Sequence, residues 1–261
     1  MRSTRGVRAL SGAPPAGAGP VVSCALRVCR VAYGAPLLVL VKIPAKGSMA
    51  HSMNALKYAT HGLSTQLLAQ VKLLATTSHV RAWPGGTGNA KCGGNYAPGI
   101  QPQVAAAKDG FAQNLWLFGE DESVTEVGTM NQFFFWTTPE GERELITAPL
   151  DDGTILAGVT RSSILALARE WGEFKVSERT YTMGDVIAAQ REGRLIEAFG
   201  SGTACIVCPV DGFRYRDEDY AIPVEEDDPT RRAGALTKRF LDELQGIQYG
   251  TIPHEWSVVV D

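Results

Sequence analysis

The stretch Arg81-Ala-Trp-Pro-Gly-Gly-Thr-Gly-Asn-Ala-Lys91-Cys-Gly-Gly-Asn-Tyr96 is the most unusual part of this chain. Its one lysine lies among five glycines: Gly85, Gly86, Gly88, Gly93 and Gly94. Glycines at this density are entropically costly to order, which favours a backbone that needs positive φ or approaches a ligand closely. A partly desolvated lysine in such a segment loses its proton easily and can attack carbonyl carbons. The alternative is a flexible glycine loop with a solvated lysine, and this stretch alone leaves both open.

Composition and charge limit the domain organisation and the partners of the chain. The chain has 261 residues and a hydrophobic content of 44%, which is enough for one large or two modest domains. Its net charge is −3, but residues 1–108 hold 12 basic and no acidic residues, whereas residues 109–261 hold 13 basic and 28 acidic ones. Such an asymmetry can mark a nucleic-acid partner. Because the basic residues are thinly spread and not clustered with aromatics, we expect no nucleic-acid binding.

The segment 1–70 is atypical, basic and poor in pattern. Residues 1–30 alternate arginine with small residues and lack acids, which is typical of a mitochondrial transit peptide. A disordered tail or a wrongly annotated coding sequence is an equal alternative. The apolar run 35–43 is too short to span a bilayer, so we interpret it as a buried strand and expect no membrane insertion. A weak pattern also predicts a helix over Leu63–Leu74.

From Val71 onward the pattern alternates helices and strands without a long linker, which predicts one α/β domain over residues 71–261. Predicted helices cover Pro98–Lys108 and Val159–Trp171, then Val186–Glu192 after a capping box at Thr182 with Gly193 as a stop, and finally a helix opened by Asp228-Pro229 that runs to about Gln245 and ends at Gly246. Predicted strands cover Gln113–Phe118 and a hairpin formed by Asn131–Thr138 and Arg143–Thr147.

Several ordered motifs carry a family resemblance. They are Gly-Thr-Gly-Asn-Ala-Lys91-Cys-Gly-Gly-Asn-Tyr96, Thr-Glu126-Val-Gly-Thr-Met-Asn, Gly158-Val-Thr-Arg-Ser, Trp-Gly-Glu-Phe174, Phe-Gly-Ser-Gly-Thr203-Ala-Cys-Ile-Val-Cys-Pro and Ile-Gln-Tyr-Gly250. Together, from about Val71 to Val260, they closely resemble the branched-chain amino-acid aminotransferases, which are class IV enzymes dependent on pyridoxal 5′-phosphate (PLP). The resemblance implies the large domain of a fold-type IV enzyme, a mixed α/β (α+β) layer around a pseudo-barrel.

The implied reaction moves an amino group between leucine, isoleucine or valine and the 2-oxo acid 2-oxoglutarate. A different fold-type IV activity, such as D-amino-acid transamination or lyase chemistry, fits the Gly-Gly-Asn-Tyr and Thr-Ala-Cys-Ile-Val-Cys details less well. The family's small N-terminal domain, with its phosphate-binding arginine, has no recognisable motifs in residues 1–70 and is expected to be missing. The alternative is therefore a catalytically impaired remnant, or a truncated gene model, that folds without turnover. The resemblance also implies a homodimer for the full-length family form.

The resemblance assigns roles around the cofactor. Lys91 resembles the lysine that bonds covalently to the cofactor aldehyde and then moves a proton during transamination. Glu126 resembles the acid that holds the pyridine nitrogen protonated, and Tyr96 the tyrosine that hydrogen-bonds the phenolic oxygen. Taken alone, Glu126 fits a surface acid at a strand start better, and Tyr96 fits a packed core tyrosine equally well.

The resemblance also assigns phosphate and substrate contacts. Helix N-termini offer free amides to anions, and the resemblance places the backbone amides of Val159 and Thr160 on the phosphate, together with Thr203. Met130 and Ala204 resemble residues on the substrate side of the pocket. Because an apolar pocket discriminates methylenes only modestly, leucine, isoleucine and valine are all expected substrates.

The pair Cys205-Ile-Val-Cys208 remains open. It can be a redox-active thiol pair, as in animal relatives, or two buried thiols. No second C-x-x-C and no suitably spaced histidine accompany it, so we expect no zinc or other metal site. The expected location is mitochondrial or cytoplasmic, and the basic, acid-free N-terminal segment favours the mitochondrion.

Overall fold

The structure is a computed structural model that describes residues 39–41, 70–223 and 233–259. Part of the strand predicted over residues 35–43 is present as β1 (Val39–Val41), which pairs antiparallel with β11 (Ser257–Val259). The transit-like segment 1–30 lies outside the described residues. All described residues belong to one unit of the chain, residues 34–261. No helix of these described ranges is long and apolar enough to cross a membrane.

The described chain contains four helices and nine further strands. The helices are α1 (Gly93–Lys108), α2 (Val159–Trp171), α3 (Met183–Arg191) and α4 (Ala235–Gln248). The strands are β2 (Val71–Thr76), β3 (Gln113–Phe118), β4 (Ser123–Val127), β5 (Met130–Thr137), β6 (Arg143–Thr147), β7 (Lys175–Glu178), β8 (Leu195–Gly202), β9 (Ile206–Tyr215) and β10 (Glu218–Ala221).

Six of these strands close into a barrel. Around the ring the order is β9, β2, β3, β4, β5 and β8, and β8 pairs again with β9. Strand β2 is parallel to both of its neighbours, and the other pairings in the ring are antiparallel. Strand β10 extends the sheet beyond β9, while β6 and β7 extend it beyond β5. The predicted mixed α/β fold with a pseudo-barrel is therefore confirmed.

Strand β5 shows how the sequence builds the two hydrophobic clusters. Successive side chains of a strand point to opposite faces. Phe134 belongs to a cluster with residues from all six barrel strands, whereas Phe133 joins Phe199 of β8 and packs against helices α2 and α4 through Ile164 and Phe240. The apolar run at the centre of β5 is thus buried on both faces, which explains its lack of alternation.

Most elements predicted downstream of Val71 are confirmed. Strand β3 and helix α2 have the predicted bounds, and the hairpin is formed by β5 and β6. The capping box of α3 is present, because Thr182 accepts from the backbone of Asp185 and the Asp185 carboxylate accepts from the backbone of Thr182. Gly193 follows α3 with φ +68°. Helix α1 begins at Gly93, five residues before the predicted start.

The helix predicted over Leu63–Leu74 is wrong where the structure describes it. Residues 71–76 form strand β2, which lies between β3 and β9. Pairing on both sides outweighs the weak helical pattern of a single segment. The remainder of that prediction, residues 63–69, lies outside the described residues.

The last helix also differs from the prediction. Its predicted opening, Asp228-Pro229, lies outside the described residues, and within them α4 begins at Ala235, where the Glu197 carboxylate accepts from the backbone N–H of Leu236 at 2.9 Å and of Thr237 at 2.8 Å. The predicted stop at Gly246 is wrong, because α4 continues to Gln248. A Cβ at Gly246 would lie 2.5 Å from the Ile252 side chain, so this glycine serves close packing.

Candidate active site

Strand register gathers the predicted site residues at one end of the barrel. Glu126 on β4 pairs with Asn131 on β5, next to Met130, and Asn131 pairs with Ser201 on β8. Residues 203–205 form the turn between β8 and β9. The predicted acid, the predicted substrate-side methionine and the predicted phosphate and thiol residues therefore share this end.

Glu126 is a buried carboxylate with partners on both oxygens. Its residue is only 1% exposed. Oε1 accepts from the backbone N–H of Leu156 at 2.8 Å and from Nδ2 of Asn131 at 3.1 Å. Oε2 lies 2.6 Å from Nε of Arg81, in an ion pair where Nε makes no regular hydrogen bond. Because each carboxylate oxygen offers about two acceptor positions, Oε1 is saturated and Oε2 retains acceptor capacity.

The charge of Glu126 is set by opposing influences. Burial raises the pKa of Glu126 to about 7, and the Arg81 guanidinium is the strongest influence that lowers the pKa. The N–H of Leu156, Arg161 and Lys91 lower it further. The predicted nucleophile, Lys91, thus lies within electrostatic reach of the carboxylate, whose ionisation near neutral pH depends on its cationic neighbours.

Arg81 connects three parts of the site. The residue is 6% exposed, and Nη1 donates to the carbonyl oxygen of Thr154 at 2.8 Å. Both Nη atoms lie 3.5 Å from the carbonyl oxygen of Gly88. A Cβ at Gly88 would lie 2.8 Å from the same Thr154 oxygen, so only glycine allows this approach. Arg81 is the first residue of the glycine-rich stretch 81–96, but its pairing with Glu126 was not predicted.

The lysine loop, residues 83–92, is held by side-chain hydrogen bonds. The buried Asn95 accepts from Thr87 Oγ1 at 2.5 Å and donates from Nδ2 to the carbonyl oxygens of Thr87 and Ala90. Lys91, the residue after Ala90, is exposed. The loop backbone is therefore fixed by side-chain contacts while the lysine amine stays accessible.

Tyr96 lies in the first turns of α1 beside the same charges. It is half-buried, and burial raises its pKa, while the electrostatic influence of Arg81 lowers it and those of Glu126 and Cys92 raise it. Lys91 and Tyr96 thus both lie within electrostatic reach of Glu126.

Asn131 connects the N-terminus of α2 to Glu126. The helix begins after Gly158, and no side chain of the described residues caps it, so the first backbone N–H groups, those of Val159 and Thr160, lack a capping partner. Nδ2 of Asn131 donates to the carbonyl oxygen of Leu156 at 2.8 Å, and a Cβ at Gly158 would overlap Oδ1 of Asn131. Asn131 therefore ties the start of α2 to Glu126, a role the sequence analysis missed.

The turn between β8 and β9 contains three further predicted site residues, Thr203, Ala204 and Cys205. Thr203 and Ala204 are exposed, and Sγ of Cys205 lies 3.2 Å from Sδ of the half-buried Met130. Cys205 and Cys208 are half-buried and not joined by a disulfide, and burial raises the pKa of Cys208 to about 11. No group of three or more His, Cys, Asp or Glu residues in the described ranges is placed to hold a metal ion.

A separate surface cavity lies away from this group. Its volume is about 440 Å³, and its lining includes Phe135, Arg143, Glu173 and Arg239. None of the predicted site residues lines it, so it is not part of the candidate active site.

The closed barrel, with a buried carboxylate, an accessible lysine and an uncapped helix start at one end, defines an enzyme-type site. Comparison with known proteins identifies the family. Residues 37–212 match the model of the family described as amino-transferase class IV, and the chain belongs to this family.

Curated relatives support this assignment. The chain is 54% identical over 191 residues to the branched-chain-amino-acid aminotransferase of Dictyostelium discoideum, covering 73% of this chain and 49% of that protein. It is 50% identical to the cytosolic enzyme of Ovis aries, with 73% and 48% covered, and 51% identical to the mitochondrial enzyme of Bos taurus, with 74% and 48% covered. The chain thus spans about half the length of these curated relatives.

Solved structures support the fold. The branched-chain aminotransferase of Thermoproteus uzoniensis, solved with norvaline, matches with a TM-score of 0.59 at 24% identity, over 74% of this chain and 57% of that chain. The branched-chain amino acid aminotransferase of Escherichia coli matches with a TM-score of 0.55 at 25% identity, over 74% and 58%.

Proposed function

We propose that this chain carries the PLP-binding part of a branched-chain amino-acid aminotransferase, which moves the amino group of leucine, isoleucine or valine to 2-oxoglutarate. The observation that carries the proposal is the grouping of Lys91, Tyr96 and Glu126 at one barrel end. The identity of 50–54% with enzymes named for this activity supports the substrate class.

The donor and acceptor set fits PLP. Oε2 of Glu126 retains acceptor capacity for a pyridinium N–H, the uncapped start of α2 offers amides for a phosphate, and the exposed amine of Lys91 is accessible to an aldehyde. When bound, PLP supplies an electron sink for the carbanion formed at the substrate α-carbon.

The protein's own residues have distinct tasks in this proposal. Lys91 would hold the aldehyde carbon of PLP covalently through Nζ, with loss of water. The incoming amino group would displace Nζ, and the freed amine would then carry the α-proton of the amino acid to C4′ of the cofactor. Glu126 keeps the pyridine nitrogen protonated, because an adjacent carboxylate stabilises the positive charge. Tyr96 would donate a hydrogen bond from its hydroxyl group to the phenolic oxygen of PLP.

Phosphate and substrate contacts complete the site. The backbone amides of Val159 and Thr160, with the Thr203 hydroxyl, bind the phosphate, which matches the favourable dipole of a helix N-terminus. Met130 and Ala204 contact the substrate side chain. An apolar surface of this kind separates substrates that differ by one methylene only about 10- to 200-fold, so all three branched-chain amino acids are accepted.

The partners of the site are amino acids and their 2-oxo acids. We further propose a homodimer for the full-length form. The location is the mitochondrion or the cytoplasm; curated relatives include enzymes of both kinds, and the basic, acid-free segment 1–30 favours the mitochondrion.

A second candidate is a protein that folds and binds PLP weakly but does not turn over. Lys91, Thr203 and Ala204 are exposed, and a site open to water loses much of the electrostatic preorganisation on which catalysis depends. This observation favours little activity from the isolated 261-residue chain.

A coupled assay with leucine and 2-oxoglutarate separates the two candidates. We compare the chain alone with a fusion to the part of the Dictyostelium discoideum enzyme that this chain does not match. The fusion should turn over on the order of 10 s⁻¹, a typical enzyme value, and the chain alone far more slowly. The fusion with Lys91→Ala is the matched control and should be inactive. A fusion that binds PLP without turnover would favour the second candidate.

A further inference from the structure

We propose that Arg81 is a positioning residue that keeps Glu126 ionised and fixed in the site. The inference rests on the proposed function only for the use made of Glu126. The arrangement of Arg81 is visible without any cofactor, since its Nε lies 2.6 Å from Oε2 of Glu126 and both side chains are almost fully buried.

The guanidinium cannot swing away from Glu126, because its other end is anchored to backbone. Nη1 donates to the carbonyl oxygen of Thr154 at 2.8 Å, and both Nη atoms lie 3.5 Å from the carbonyl oxygen of Gly88. The Gly88 oxygen is only 7 residues from Arg81 in the chain, whereas the Thr154 oxygen is 73 residues away. The cation is therefore held in place by the fold of the site and not by Glu126 alone.

The charges around Glu126 explain why the fixed position of Arg81 affects the ionisation of the carboxylate. A carboxylate buried in a protein favours its neutral form unless a cation compensates. Arg81 is paired directly with the carboxylate, Arg161 and Lys91 contribute less, and Tyr96 lies within electrostatic reach of it. The other contacts of Glu126 come from neutral donors, the N–H of Leu156 and the amide of Asn131.

The consequence concerns the acceptor role of Glu126. A protonated carboxyl group has no net negative charge to stabilise a pyridinium, and its proton occupies acceptor capacity. Without Arg81, Glu126 would be protonated over more of the neutral pH range. Arg81 thus supports cofactor binding by keeping Glu126 ionised, and this role requires no contact between Arg81 and the cofactor.

The test measures Glu126 directly and does not need the cofactor. Protein labelled with ¹³C at the glutamate carboxyl carbon is titrated by NMR, and Glu126→Gln assigns the resonance. In Arg81→Gln we expect the apparent pKa of Glu126 to rise by at least one unit, a tenfold change in the ionisation constant. A folded Arg81→Gln protein with the parent pKa of Glu126 would overturn the proposal.

Arg161→Gln is the matched control. Arg161 is equally buried but donates to Ala148 and Glu178 and makes no contact with Glu126. It should disturb folding to a similar degree and shift the pKa of Glu126 by less than half as much. An equal shift in both variants would show that Arg81 has no special role.

Arg81→Lys covers the case in which Arg81→Gln does not fold. It keeps the charge and removes the guanidinium's bonds to the carbonyl oxygens. A Glu126 pKa within half a unit of the parent supports the charge role, and a rise of one unit or more contradicts it.

PLP binding gives a second readout. Arg81→Gln should raise the pH at which PLP binding is half-maximal. In a Glu126→Gln background the same substitution should leave that pH unchanged. If the parent binds no PLP, the proposed function fails while the NMR titration still decides the role of Arg81.

Discussion

Nδ2 of Asn131 lies 3.1 Å from Oε1 of Glu126, so the amide at the start of β5 holds the carboxylate near the end of β4. The same Nδ2 donates to the carbonyl oxygen of Leu156, and Oδ1 of Asn131 lies against Gly158, where α2 begins. One side chain thus connects the proposed pyridine-nitrogen acid with the proposed phosphate site. Disturbing either end should affect the other.

Gly158→Ala tests this connection. The φ of Gly158 is −69°, which alanine adopts without strain, so any effect reports the overlap of the new Cβ with Oδ1 of Asn131. We expect a loss of about 1–3 kcal/mol in the free energy of unfolding, the usual cost of overpacking, and weaker PLP binding. Urea denaturation and a PLP titration measure the two effects.

Gly184→Ala is the control for that substitution. Gly184 also lies at a helix start, but its added Cβ would meet only Thr182 Oγ1 at 3.4 Å. It should change stability by no more than about 1 kcal/mol, in the stabilising direction expected for alanine in a helix. The effects of Gly158→Ala and Asn131→Ala should be non-additive, because the second removes the overlapping atom. Additive effects would contradict the connection.

Glu144 should make stability depend on pH. It is fully buried on β6, and its carboxylate accepts from Ser177 Oγ at 2.5 Å, Trp136 Nε1 at 2.8 Å and Arg179 Nη2 at 3.0 Å. Burial alone would raise its pKa, but these donors lower the pKa of Glu144 to about 2. A lowered pKa in the folded state means that the contribution is complete above the unfolded-state value of 4.5 and is lost as the pH falls through about 2.

Glu144→Gln should therefore lower the free energy of unfolding by about 1–3 kcal/mol at pH 7, and the difference from the parent should shrink towards pH 2. Urea denaturation at several pH values measures it. Glu142→Gln, at an exposed carboxylate near the same strand, should stay within about 0.5 kcal/mol of the parent. A Glu144→Gln effect that does not change with pH would mean that Glu144 is not ionised in the folded protein.

Thiol reactivity should differ sharply between Cys92 and Cys208. Cys92 is exposed, whereas Cys208 is half-buried and burial raises its pKa to about 11. Because only the thiolate reacts, iodoacetamide should label Cys92 first, and labelling of Cys208 should still be rising at pH 9. Peptide mass spectrometry measures both rates, with Cys208→Ser as the control for peptide assignment. Equal rates at pH 7 would instead favour a reactive redox pair at Cys205 and Cys208.

Local signals in the sequence predicted several elements well. Glycines flank α2 on both sides, and Gly172 adopts the left-handed φ of +63° expected after a helix. The capping box at Thr182 contains its partner three residues away, so the start of α3 could be predicted from a short window. These signals depend on contacts between neighbours in sequence.

Features that depend on distant residues could not be predicted this way. The start of α4 is set by Glu197 on β8, about 40 residues earlier, and the requirement for glycine at position 246 comes from Ile252 on the following segment. The pairing of Arg81 with Glu126 likewise joins β4 to the segment that follows β2, two parts of the chain that are far apart in sequence. The predicted roles of the site residues came from the family resemblance and remain predictions.

The most direct test of the account is the covalent attachment of PLP to Lys91. The protein is incubated with an equal amount of PLP, reduced with borohydride and digested, and the modified lysine is identified by mass spectrometry. We expect the phosphopyridoxyl group on Lys91, unchanged labelling in a Lys175→Ala control at another exposed lysine, and loss of labelling in Lys91→Ala. Labelling spread over surface lysines, with Lys91→Ala indistinguishable from the parent, would contradict the account.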